Sequence, residues 1–104
     1  MILGLDVSTS ITGYTILDTN GDLVEYGSID TRKHKNFFIK VGVVEEKLSS
    51  LKQSYAVQAV YIEQSLQSFR SGFSSAQTLS TLSRFNGVVS WLCFKLFNLE
   101  PEYF

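Results

Sequence analysis

The first thirty residues contain three short apolar runs separated by turn signals, and this pattern restricts the possible fold most strongly. Residues 2–7 are apolar on both faces of a strand except for Asp6, which is typical of a central strand. Residues 11–18 are rich in β-branched and aromatic side chains, as in a second strand. Asn20-Gly21 predicts a hairpin, because both residues accept a positive φ, and Leu23–Ile29 follows as a third strand.

The rest of the chain alternates between helical and strand patterns. Apolar residues three and four positions apart predict a helix from Asn36 to about Ser54, and Val57–Ile62 predicts a fourth strand that ends at Glu63. After a polar loop, a long helix is expected over residues 74–98. The order βββαβα requires a parallel crossover, so the fold class is α/β with a mixed sheet. A length of 104 residues fits one domain.

Composition excludes several classes of protein. The hydrophobic content of 44% and the net charge of −1 argue against intrinsic disorder and against a uniformly basic nucleic-acid binder. The most apolar stretch, Phe85–Phe94, is too short for the roughly 20 residues of a membrane span. The single Cys93 excludes an internal disulfide, and no secretory signal precedes Asp6, so we expect a cytoplasmic protein without membrane contact.

Two acids stand at the ends of predicted strands. Asp6 ends the first strand and Glu63 ends the fourth. Open α/β sheets bind ligands beyond the carboxyl ends of their strands, so the two carboxylates share one crevice if their strands are neighbours. Two hard oxygen ligands suit Mg²⁺ or Mn²⁺. An isolated acid of this kind is more often a solvated surface residue, and the surrounding residues have to decide between these interpretations.

The surrounding residues carry a family resemblance. The stretch Ile2–Ser10, followed by Thr12-Gly13-Tyr14, resembles the opening of the RuvC-type Holliday-junction resolvases of the RNase H-like superfamily. Residues 59–64, Ala-Val-Tyr-Ile-Glu-Gln, resemble the second acid motif of the same family. The resemblance covers the whole chain, including the order βββαβα.

This resemblance implies a metal-dependent endodeoxyribonuclease that cleaves Holliday junctions or other branched DNA by a two-metal mechanism. Asp6 would bridge both Mg²⁺ or Mn²⁺ ions and Glu63 would bind one of them. The family carries further acids on a helix after a fifth strand. That strand and helix are expected to be missing here, so residues 1–104 would be a single RNase H-like nuclease domain truncated at its C-terminus.

Two segments are candidates for DNA binding. After Glu63, the resemblance and the chemistry of aromatics and arginine beside a metal site point to Phe69, Arg70 and Phe73. The second segment is a basic cluster, in which Arg32, Lys33 and Lys35 could bind a DNA backbone together with Lys40. Alternatively, Phe69 anchors the loop and Phe73 belongs to the core. The alternative for the basic cluster is a solvated surface.

The long helix has more apolar residues than one buried stripe needs. A second apolar face predicts contact with another subunit through Phe85, Trp91 and Phe94. Resolvases resembling this chain are dimers joined through this helix, so a homodimer is expected. The missing C-terminal helix is the competing explanation for this face.

Two further hypotheses remain beside the nuclease. One is a non-catalytic DNA-binding or dimerisation module of the same fold, which the missing acids favour. The other is a nucleotide-binding domain of the actin-like ATPase and sugar-kinase type, because residues 4–10 also resemble the phosphate-binding hairpin of those proteins. The short chain argues against the two-lobed architecture that such proteins need.

Overall fold

The structure is a computed structural model that describes residues 1–63 and 76–104. These residues form five strands and two helices. In chain order they are β1 (Ile2–Asp6), β2 (Ile11–Leu17), β3 (Leu23–Asp30), α1 (Phe37–Ser54), β4 (Ala59–Glu63), α2 (Ala76–Phe97) and β5 (Glu102–Tyr103).

All five strands form one mixed sheet in the order β3-β2-β1-β4-β5. β1 lies in the middle, antiparallel to β2 and parallel to β4, which confirms the α/β class and the crossover through α1. The expectation that the fifth strand is missing needs correction at its first residues. Glu102 and Tyr103 pair in parallel with β4, and the Phe104 N–H donates to the Ile62 carbonyl at 3.1 Å.

The two helices cover one face of the sheet. Alternate residues of the central strands, among them Leu3, Leu5 and Ile62, point to this face and are almost completely buried. The helices contribute Val44, Leu48 and Leu51 from α1 and Phe85, Val89, Leu92 and Cys93 from α2 to the same core. Among the described residues, neither helix is long and apolar enough to cross a membrane.

Local signals set the first helix and the hairpin. The Asn36 side chain accepts hydrogen bonds from the N–H groups of Phe38 and Ile39 at 2.9 and 3.1 Å, so Asn36 is the N-cap and α1 begins at the next residue. Gly21 has a φ of 85° in the β2–β3 hairpin, which glycine adopts without strain.

The inner face of α2 differs from the sequence prediction. Phe85, which was expected on an outer face between subunits, is completely buried and packs edge to face against Phe37 with a centroid distance of 5.5 Å. That interface prediction is therefore wrong for Phe85, because its ring has no surface left for a partner. Ring packing against α1 fixes the rotation of the helix, which periodicity alone does not determine.

Candidate metal and nucleic-acid site

The two predicted carboxylates lie side by side at the carboxyl ends of two neighbouring strands. β1 and β4 are parallel neighbours, and Asp6 and Glu63 are direct partners in their register. Adjacent strands lie roughly 4.8 Å apart, so both side chains start from neighbouring positions. Both residues are exposed, and they lie on the face opposite Leu5 and Ile62, away from the helices.

The donor set fits a hard divalent cation. Within residues 1–63 and 76–104, neither the Asp6 nor the Glu63 side chain has a hydrogen-bond or ion-pair partner, so all four oxygens are available. Mg²⁺ is commonly held by one or two carboxylates and completes its coordination with water and phosphate oxygens. No group of three or more candidate ligands occurs among these described residues. Among the described residues, Asp6 and Glu63 therefore form a pair with no third candidate ligand beside them.

The turn after Asp6 is fixed from three sides. Thr12 is completely buried, and its hydroxyl donates to the Ser8 carbonyl at 3.0 Å and accepts from the Ser8 N–H at 3.3 Å. Thr31 donates its hydroxyl to the carbonyls of Thr9 and Ser10. Lys40 of α1 donates to the Thr9 carbonyl at 2.6 Å. The wall of the site is therefore tied to the beginning of α1.

These bonds correct the prediction for Lys40. The sequence placed it with the basic cluster as a possible DNA contact, whereas its ammonium group is half-buried and bonded to the carbonyls of Thr9 and Thr31. The sequence could not reveal this role, because the acceptors are backbone atoms of a turn distant in the chain.

The basic loop lies at the same end of the sheet as the carboxylates. β3 is antiparallel to β2 and therefore ends beside the turn that follows β1, with Asp30 opposite Ile11. Arg32 donates to both carboxylate oxygens of Asp30, the shortest distance being 2.7 Å, and this hydrogen bonding lowers the pKa of Asp30 to about 2. Lys33 and Lys35 are exposed and form no ion pair with the described residues. Within residues 1–63 and 76–104, no acid neutralises the charges of these two lysines.

The open face of the sheet forms a groove that ends at the two acids. It carries mostly apolar and small side chains, with Asp6 and Glu63 at one end. The lining includes Ile2, Gly4, Gly13, Thr15, Leu17, Tyr26, Tyr61 and Phe104. The predicted contacts Phe69, Arg70 and Phe73 lie outside the described residues.

The outer face of α2 is apolar, as its sequence indicates. Trp91 and Phe94 are 56% and 46% exposed, and Lys95 lies over the Trp91 ring at 5.0 Å from the centroid. Phe38 of α1 is 78% exposed and lines the same groove as Trp91, which sequence reasoning missed. The pair Phe37-Phe38 carried the signal, because successive helical residues point about 100° apart and Phe38 follows the residue that packs against Phe85.

Comparisons with known proteins bear on the family and on the fold. No family model matches the chain. Crossover junction endodeoxyribonuclease RuvC of Bacteroides fragilis is 33% identical over 76 residues, and that of Geobacter sulfurreducens is 33% identical over 66 residues. These matches cover 65% and 61% of this chain, and the chain spans about 40% of the length of either relative.

Solved structures share the fold. Thermus thermophilus RuvC in complex with a Holliday junction substrate superposes with a TM-score of 0.78 at 12% identity, over 99% of this chain and 62% of that one. A second Thermus thermophilus RuvC structure gives a TM-score of 0.70 at 13% identity, with the same coverage. The sequence similarity to the curated RuvC proteins confirms the resemblance to RuvC-type resolvases, and the sheet with its helices is the α/β arrangement of the RuvC structures.

Proposed function

We propose that this chain, which resembles RuvC-type resolvases in sequence and shares their fold, acts in a metal-dependent endonuclease that cleaves branched DNA such as a four-way junction. The observation that carries the proposal is the register of β1 and β4, which makes Asp6 and Glu63 direct neighbours at the carboxyl ends of parallel strands. The similarity to curated RuvC proteins supports the choice of substrate.

In this proposal the chain's residues hold the metal and position the DNA. Asp6 and Glu63 bind Mg²⁺ or Mn²⁺ through carboxylate oxygens, and such ions activate a water and stabilise the leaving oxygen in phosphodiester hydrolysis. Lys33 and Lys35 bind backbone phosphates at the same end of the sheet, which makes binding depend on salt. Thr12 and Lys40 keep the turn after Asp6 in place while the substrate lies against it.

The proposal includes a homodimer. Trp91 and Phe94 offer an apolar surface on α2, and Phe38 extends that surface onto α1. A dimer with a two-fold axis suits a four-way junction, because its two equivalent sites can each meet one of two equivalent strands of the junction.

Cleavage of an end-labelled four-way junction in Mn²⁺ tests the nuclease. We expect cutting that requires the divalent ion and that Asp6→Asn or Glu63→Gln abolishes, since each change removes a charged metal ligand. The matched control is Glu46→Gln, which makes the same chemical change at an exposed position of α1 and should leave cutting intact. Cutting that persists in both ligand variants would refute the proposed site.

A non-catalytic junction-binding module is the second candidate. It is favoured by the absence of a third metal ligand near Asp6 and Glu63 among the described residues. It predicts that the chain binds a four-way junction without cutting it, and that Asp6→Asn and Glu63→Gln leave the affinity unchanged both with and without divalent ions.

A further inference from the structure

Gly13 lies directly opposite Asp6, and the fold does not require a glycine there. The two residues are register partners in β1 and β2. Among the described residues Gly21 is the glycine with a positive φ, so the backbone of Gly13 is one that other residues adopt. A Cβ atom added to Gly13 would meet the Asp6 Cβ at 3.8 Å, an ordinary van der Waals contact.

Glycine weakens a strand unless something else needs the space. It has no side chain to pack and loses more backbone entropy on folding than any other residue. Thr15, the next β2 residue on the same face, is β-branched as strands prefer. Gly27 provides the contrast, because a Cβ there would lie 2.7 Å from the Tyr14 hydroxyl and the fold itself explains that glycine.

The charges around Gly13 indicate what could use the space. Asp6 lies between Glu63 on β4 and Gly13 on β2. The Glu63 carboxylate is therefore on one side of Asp6, and backbone without a side chain is on the other. The bare side faces β3, whose end leads into the loop with Lys33 and Lys35, which form no ion pair with the described residues. An anion over Gly13 would therefore lie between a metal ion at the carboxylates and these lysines.

We propose that Gly13 determines substrate access, because it leaves room for a DNA phosphate to lie against β2 beside Asp6. This role rests on the proposed function. A β-branched side chain at position 13 would stand beside the Asp6 carboxylate and exclude the phosphate. The proposed metal ligands themselves would remain in place, because Glu63 lies on β4, on the side of β1 away from β2.

The test compares junction affinity with and without Ca²⁺, which binds carboxylate oxygens, by fluorescence anisotropy of a labelled four-way junction. In the unaltered chain we expect Ca²⁺ to raise the affinity about 10-fold, the size of one charge-assisted contact. Gly13→Thr should lose most of this gain while keeping the metal-free affinity, which comes from the lysines. Its thermal midpoint should be unchanged or higher, an outcome opposite to that of a structural lesion.

Two variants complete the design. Ser28→Thr is the matched control, because it adds a methyl group to the β3 residue that pairs with Gly13, one strand further from Asp6. It should keep the full gain. Gly13→Ala adds a single methyl group and should fall between the unaltered chain and Gly13→Thr.

The outcomes separate the two proposals. If the unaltered chain gains affinity with Ca²⁺, Asp6→Asn removes the gain and Gly13→Thr retains it, the role of Gly13 is wrong and the proposed function stands. If the unaltered chain gains nothing, or Asp6→Asn keeps the gain, the proposed metal site fails and the role of Gly13 fails with it.

Discussion

At the scale of single residues, the space beside Gly27 gives a clear prediction. Tyr14 passes over Gly27, donates its hydroxyl to Glu25 at 2.7 Å and lies beneath the Lys47 ammonium group, so its ring cannot move cheaply. Gly27→Ala should lower the free energy of unfolding by about 1–3 kcal/mol, as overpacking does. Urea denaturation followed by circular dichroism measures this loss.

Gly42→Ala is the control for that experiment. Gly42 lies in α1, and a Cβ added there meets no atom within 4 Å. The change should raise the free energy of unfolding by about 0.5–1 kcal/mol, because alanine favours a helix. Equal stability of Gly27→Ala and the unaltered chain would show that Tyr14 yields without cost.

The same scale shows how far the sequence determines the site. The adjacency of Asp6 and Glu63 was predictable because each ends an apolar run and the crossover favours β1 and β4 as parallel neighbours. Lys40 was not predictable as a structural residue, since its acceptors are backbone carbonyls that any sequence supplies. The sequence pattern shows the chemical type of a side chain and its place on a strand or helix, whereas the atoms it contacts depend on tertiary packing.

At the scale of elements, α2 has two apolar faces with different tasks. Phe85 is completely buried, so Phe85→Ala should cost about 3–5 kcal/mol of unfolding free energy. Trp91→Ala removes a side chain that is more than half exposed and should change stability little. If the proposed homodimer forms through this face, Trp91→Ala should shift the chain from dimer towards monomer in sedimentation velocity.

Phe85→Leu keeps that comparison informative if Phe85→Ala fails to fold. A stability loss in Trp91→Ala as large as that in Phe85→Ala would place Trp91 in the core and contradict this assignment of faces. The sequence indicated that α2 has two apolar faces, but it assigned Phe85 to the wrong one, because periodicity leaves the rotation of a helix open. Ring packing against Phe37 decides it.

At the scale of the whole molecule, one carboxylate connects the sheet to α1 and its helical C-cap. Glu25 of β3 accepts hydrogen bonds from the hydroxyls of Tyr14 at 2.7 Å and Tyr55 at 2.6 Å. These bonds lower the pKa of Glu25 below its ordinary value of 4.5, and they raise the pKa of Tyr55 above 10.0. This connection between β3 and the end of α1 therefore needs an ionised Glu25 and a neutral Tyr55.

The sign of the pH dependence follows from these shifts. The contribution of Glu25 is fully present above pH 4.5 and is lost as the pH falls through its lowered folded-state pKa; that of Tyr55 is lost as the pH rises above 10. Urea titrations between pH 7 and 3 should show that the free energy of unfolding falls more steeply with decreasing pH in the unaltered chain than in Glu25→Gln. Glu46→Gln, at an exposed site, should keep the steep dependence, and identical slopes for all three proteins would exclude this connection.

The parallel pairing of β1 with β4 also determines when the site can exist during synthesis. Asp6 leaves the ribosome before Glu63, because the hairpin strands and α1 lie between them in the chain. Closing so long a segment costs chain entropy that only the packed crossover recovers. Until Glu63 has been synthesised, Asp6 therefore has no neighbouring acid from β4, and the two acids come together only once the sheet has assembled around its middle strand.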